Sequence, residues 1–172
     1  MTVNDGTGNS CTATLAAGNC VLPSATVGPK TLTATYSGDT NFLTSYGTKI
    51  HNVVYTFIGF LTPVDNPPIV NVGAPGRTYP IKWQLKDANG NYISDLASFV
   101  SLQFATVACG TFDLGLTDVL VDTTAAGSTT VRYEGNQFIY NWKTPNTGNV
   151  CYLLRLTLRD GTIHQADFQM KK

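Results

Sequence analysis

The stretch Lys30-Thr31-Leu32-Thr33-Ala34-Thr35-Tyr36 alternates at every step. An extended chain sets Leu32, Ala34 and Tyr36 on one face and threonines on the other, the period-two pattern of a half-buried strand. Ser37-Gly38-Asp39 ends it. No segment sustains the 3.6-residue period of an amphipathic helix, and good helix formers are scarce: charged residues make up 13% of the chain and Glu134 is the one glutamate. The chain therefore reads as strands and turns.

From Val3 to Val54 the pattern is short runs broken by turns. Cys11–Leu15 and Cys20–Leu22 flank Ala16-Ala17-Gly18-Asn19 and predict a hairpin, and a further strand is expected over Thr48–Tyr55. Tyr55–Leu61 is an apolar strand stopped by Pro63. The prolines of Val64-Asp65-Asn66-Pro67-Pro68 exclude helix there. Strands follow at Tyr79–Lys86, Phe99–Val107, Thr129–Tyr133, Gln137–Trp142, Cys151–Leu158 and Ile163–Met170, with turns at Asp87–Tyr92 and Asp160-Gly161 and one helical turn over Asp95–Phe99. Together they predict a β-sandwich.

Four cysteines, none in a Cys-x-x-Cys pair and none near a histidine, read as two disulfides rather than a metal site. Cys11 and Cys20 face each other across the expected hairpin, which leaves Cys109 and Cys151 as the second pair. Pairing across the two halves of the chain would need them to pack tightly. Disulfides place the chain outside the cytoplasm. Met1-Thr2-Val3-Asn4-Asp5 is polar where a secretion signal is basic and then apolar, so the chain reads as part of a longer exported protein. Eleven basic and eleven acidic side chains cancel, which removes the electrostatic case for nucleic acid or an anionic membrane. No run is long enough to insert in a bilayer.

Chemistry finds little footing. His51 and His164 lie in expected strands without a catalytic motif around them, and solvent-facing histidines are the expectation. Asp118 and Asp122, candidates for a carboxylate pair, sit in a polar, turn-rich stretch where carboxylates are solvated. Asp87-Ala88-Asn89-Gly90-Asn91 echoes the start of a calcium loop but lacks the closing glutamate, and Asp5-Gly6-Thr7-Gly8-Asn9 is similar. Both are expected to be turns, with no metal and no cofactor. Of the aromatic residues, Trp83 shares a face with Ile81 and Leu85, and Trp142 with Tyr140 and Phe138, so both tryptophans are core. Tyr46 and Tyr92, near turns, are the candidates for exposed contacts, with glycan as a conceivable ligand. Lys82 points away from Ile81 and Trp83, towards solvent or a satisfied edge.

The run Lys30 to Phe42, with Thr33-Ala34-Thr35-Tyr36-Ser37-Gly38-Asp39-Thr40-Asn41-Phe42, resembles the end of a bacterial Ig-like repeat. From Tyr55 onward the chain resembles the bacterial PxKF domain: Gly59-Phe60, Pro63-Val64-Asp65-Asn66-Pro67-Pro68, Pro80-Ile81-Lys82-Trp83, Trp142-Lys143, Cys151 and Asp160-Gly161-Thr162-Ile163-His164 fall in the family's order. Trp83 stands where that family has phenylalanine, and Pro80, Lys82 and Trp83 are its motif positions. The resemblance implies an all-β chain of two Ig-like antiparallel β-sandwich modules, residues 1–53 and 54–172, in an extracellular or cell-surface protein without catalytic residues.

The first module is about half the roughly 90 to 100 residues of an Ig sandwich, so an apolar face and unpaired sheet edges are expected there. The function expected is a non-enzymatic spacer or display element whose partners are neighbouring modules or other copies of itself. Two alternatives stand beside it. One is a subunit of an extracellular filament built by β-strand complementation; the other is an adhesin or carbohydrate-binding module.

Overall fold

The computed structural model describes residues 1–23, 26–116, 118–127 and 130–172. They divide into two compact units, Met1–Val54 and Tyr55–Lys172.

The first unit is one four-stranded antiparallel sheet of β1 (Thr2–Asn4), β2 (Ser10–Thr12), β3 (Gly28–Tyr36) and β4 (Ser45–Val53), in the order β2-β1-β3-β4. The alternation of β3 sorts its faces as expected. Leu32, Ala34 and Tyr36 share a face with Val3 and Cys11, while Thr31, Thr33 and Thr35 share the other with Ile50, Thr48 and Tyr46.

The expected hairpin of Cys11–Leu15 with Cys20–Leu22 does not form. The hairpin arms are β1 and β2, and residues 13–23 contain no strand. Asp5 decides this: buried to 1% exposure, its carboxylate accepts from the amides of Thr7 (2.9 Å) and Asn9 (3.2 Å) and from the Asn9 side chain (2.8 Å), which closes a turn ahead of Ser10. Among the described residues the buried side chains of this unit are Asp5 and Lys30, and no apolar one is buried. The Lys30 ammonium donates to Thr26 Oγ1 at 2.6 Å. The unit is a single sheet layer among the described residues.

The second unit is a complete sandwich. Its strands are β5 (Thr56–Leu61), β6 (Val70–Gly73), β7 (Thr78–Lys86), β8 (Phe99–Val107), β9 (Val121–Asp122), β10 (Thr124–Ala125), β11 (Arg132–Glu134), β12 (Gln137–Lys143), β13 (Val150–Leu158) and β14 (Ile163–Met170). One sheet runs β10-β12-β7-β5 with β11 on β12; the other runs β6-β14-β13-β8-β9. Alternate residues point between the sheets: Ile81, Trp83 and Leu85 from β7 and Phe138, Tyr140 and Trp142 from β12 meet Leu154, Leu156, Leu158, Phe168 and Met170. Each large apolar side chain buried this way contributes about 1.5–3 kcal/mol.

Pairing is antiparallel except that β6 runs parallel to β14, a pairing the purely antiparallel expectation lacks. Its four residues are too short a run to carry a pattern. The helical turn expected over Asp95–Phe99 is a 3-10 turn, Leu96–Ser98, capped by the Asp95 carboxylate. The strand expected over Thr129–Tyr133 appears as β11, with Thr129 outside the described residues.

Candidate functional site

Both disulfides form within units, Cys11–Cys20 in the first and Cys109–Cys151 in the second. Cys11 sits on β2 and Cys20 in the segment that follows it, so this bond ties that segment to the sheet rather than joining two strands. Cys151 lies on β13 beside Val107 of β8. Its bond to Cys109 holds a loop across the outer face of that sheet, where Phe112, Leu114 and Leu120 pack on Ala105, Val107, Cys151 and Leu153. Disulfides of this kind belong to a non-cytoplasmic environment. Among the described residues no helix is long and apolar enough to cross a membrane.

The motif residues Pro80, Lys82 and Trp83 lie on β7 with distinct roles. Trp83 is fully buried and stacks on Phe138 at 5.4 Å between ring centres. Pro80 pairs with Asn141 of β12, and β5 pairs with β7 only as far as Lys82. Pro80 therefore has a neighbour strand on one side, where a missing N–H takes nothing from the ladder. Lys82 is half-buried on the outer face between Leu61 and Ile139, and its ammonium forms no hydrogen bond or ion pair with the described residues.

The segment after β5 is held by asparagine amides that act as substitute peptide groups. Asn66 accepts from the Phe60 amide at 2.7 Å and donates to the Phe60 carbonyl at 2.9 Å. Asn71 does the same to Asp65 at 2.8 and 3.1 Å. A Cβ at Gly59, whose φ is 117°, would stand 3.1 Å from Asn66 Oδ1, so glycine admits the asparagine.

His164 corrects the expectation of a solvent-facing side chain. It has the parity of Ala166, Phe168 and Met170, all buried on the inner face of β14, and its ring stacks on Phe57 with centroids 3.7 Å apart. Thr162 Oγ1 donates to Asp160 Oδ1 at 2.6 Å and lies 3.2 Å from His164 Nε2; the imidazole donates to it and carries its proton on Nε2. The other Asp160 oxygen accepts from the Tyr55 amide at 2.7 Å. Burial lowers the His164 pKa, with the Asp160 charge opposing. This chain of contacts fixes the start of β5 against the β13–β14 turn.

Asp87 and Asp118 hold turns, and Asp122 bonds across two strands. Asp87 accepts from the amides of Asn89 and Asn91, both at 2.8 Å, and from the Asn91 side chain at 3.0 Å. Asp118 accepts from the Gly115 amide and Asp122 from the Gln103 side chain. Among the described residues no group of three or more His, Cys, Asp or Glu side chains is arranged to hold a metal ion. A polar cleft of about 590 Å³ lies at one end of the sandwich beside Arg77 and Lys143, but the Lys143 ammonium is spent on the Gly76 carbonyl at 2.7 Å.

The two candidate contact tyrosines differ. Tyr92 is 42% exposed and its ring lies under the Lys86 ammonium at 4.7 Å. Tyr46 is 79% exposed on β4 and shares its face with Ile50, 69% exposed, across Thr48. Leu15, Phe42 and Leu43 add an open apolar cleft with Tyr36 and Ser45. Apolar exposure in the first unit thus includes Tyr46 and Ile50 of β4 and Phe42 and Leu43 in the turn before it, with Leu15, Val21 and Val54 exposed elsewhere. Half a sandwich foretells bare apolar surface in general, but Ile50 escapes pattern analysis because it alternates with polar residues as a half-buried strand residue does. No protein-family model matches the chain, and no curated protein matches it.

Proposed function

We propose that the chain is a non-catalytic structural module of an exported bacterial protein, the end of an Ig-like repeat followed by a PxKF-type sandwich, acting as a spacer or display element at the cell surface. The observation that carries this reading is where the polar chemistry of the second unit is spent. Asp160, Thr162 and His164 pin a strand to a turn, Asn66 and Asn71 complete backbone pairing, and Cys109–Cys151 clamps a loop. Such a unit holds its shape where no chaperone or ATP restores an unfolded chain.

Antibody labelling of intact cells expressing the parent protein tests the location: signal before permeabilisation and loss on protease treatment are expected, and signal only after permeabilisation would contradict it. Turnover in a screen of glycan and peptide substrates would contradict the absence of catalysis.

A second reading, a subunit of an extracellular filament built by strand complementation, is favoured by the first unit's single sheet without a buried apolar side chain among the described residues. The adhesin reading draws only on Tyr46, since Tyr92 is occupied by Lys86.

A further inference from the structure

Among the described residues β4 is unlike every other sheet edge. The remaining edge strands among the described residues are β2 and β11 with three residues each, β6 with four, β9 and β10 with two each, and β5 with six and a register shift between Phe57 and Gly59. Shortness, bulges, prolines and lysines are the ordinary protections of an edge, and of these β4 carries Lys49 alone. β4 has nine residues, pairs with β3 without a break from Ser45 to Val53, contains no proline, and exposes eight of the nine. Among the described residues β3 is its one partner strand. Its outer N–H and C=O groups form a template for another strand.

We infer that β4 is a homotypic pairing edge, along which two copies of the chain join antiparallel with Thr48 opposite Thr48, Tyr46 opposite Ile50 and Gly47 opposite Lys49. Two strands related by a twofold axis in one continuous sheet must place some residue against itself, because the faces have to match. Centring on Thr48 sets the two most exposed apolar side chains of β4 against each other twice, an aromatic on a β-branched partner, with a threonine pair between them. It also lays each Lys49 across from a glycine. Centring one residue later would oppose Lys49 to Lys49, like charges directly across the ladder, and would set Tyr46 against Asn52. The contact goes beyond the structural reading, since a spacer needs no contact between copies.

Sedimentation velocity on the oxidised full chain tests it over about 1 to 500 µM. The expected result is a shift from 18.5 kDa to twice that mass. Tyr46→Lys and Ile50→Lys, both on an exposed face, should each weaken the dimer about tenfold or more while leaving circular dichroism unchanged. With the native disulfides intact, Thr48→Cys should cross-link copies and Lys49→Cys should not. A single 18.5 kDa species at every concentration, a dimer indifferent to Tyr46 and Ile50, cross-linking of Lys49→Cys ahead of Thr48→Cys, or open-ended fibres would each overturn the inference. None of these outcomes bears on surface location, so failure of the contact and failure of the spacer reading are told apart.

Discussion

The Tyr36 hydroxyl donates to Asp39 Oδ2 at 2.5 Å, while Oδ1 of the same carboxylate accepts from the amides of Asn41 and Phe42 at 2.7 and 2.9 Å. One aspartate thus ends β3 and aims the chain into β4. Gly38 between them has φ 84°, and a Cβ there would stand 2.9 Å from the Phe42 carbonyl oxygen. The Tyr-Ser-Gly-Asp stretch is a turn whose parts are chemically interdependent.

The Tyr36 bond is the largest influence lowering the Asp39 pKa, followed by the Asn41 amide. A lowered carboxylate stabilises the fold above the unfolded-state pKa and loses that contribution as pH falls through the folded value. Tyr36→Phe should raise the Asp39 pKa towards the ordinary carboxylate value in a carboxyl-carbon NMR titration. An unchanged titration would remove the tyrosine from the turn.

Asn66→Ala should destabilise the second unit by about 2 kcal/mol in urea unfolding, because it strips both backbone partners from Phe60, whose side chain is buried. Asn66→Asp keeps the acceptor and loses the donor, so its cost should fall between that variant and the native chain.

His164 makes the second unit acid-sensitive. Burial holds its folded pKa below that of a free imidazole, so the unfolded chain binds the extra proton first. Stability is then full above the unfolded pKa and declines as pH falls through the folded one. His164→Gln should flatten this limb between pH about 7.5 and 5 in urea unfolding.

Asp167 behaves oppositely. Burial and the Asp113 charge raise its pKa, so its ionisation opposes folding as pH rises through the carboxylate range. Asp167→Asn should stabilise the chain at neutral pH, with the gain disappearing in acid.

Replacing Cys109 and Cys151 together by alanine should cost about 4 kcal/mol by loop entropy for their separation of 42 residues. It should also open the loop over Leu153 to limited proteolysis before the sandwich unfolds.

The sequence is legible where a pattern runs over many residues. Alternation gave β3, β7 and both tryptophans their faces because each strand is long enough to show its period. It failed for β6, β9 and β10, whose two to four residues carry none. The first hairpin was misplaced because Gly18 and Asn19 have turn chemistry as good as that of Asp5, and only burial of the Asp5 carboxylate separates them. His164 departs from the expectation that a polar strand residue faces solvent because its parity with Phe168 turns it inward. The exposed surface of β4 was legible in the shortness of its unit; its pairing register required strand neighbours.

Native-state hydrogen exchange on the oxidised chain, dilute enough to be monomeric, tests the central claim that the second unit is a self-sufficient sandwich and the first a sheet without its second layer. The slowest amides should lie in β7, β12 and β13, with those of β3 and β4 exchanging far faster. Protection in β3 and β4 equal to that in β13 would mean that the first unit is complete by itself, and would contradict the account.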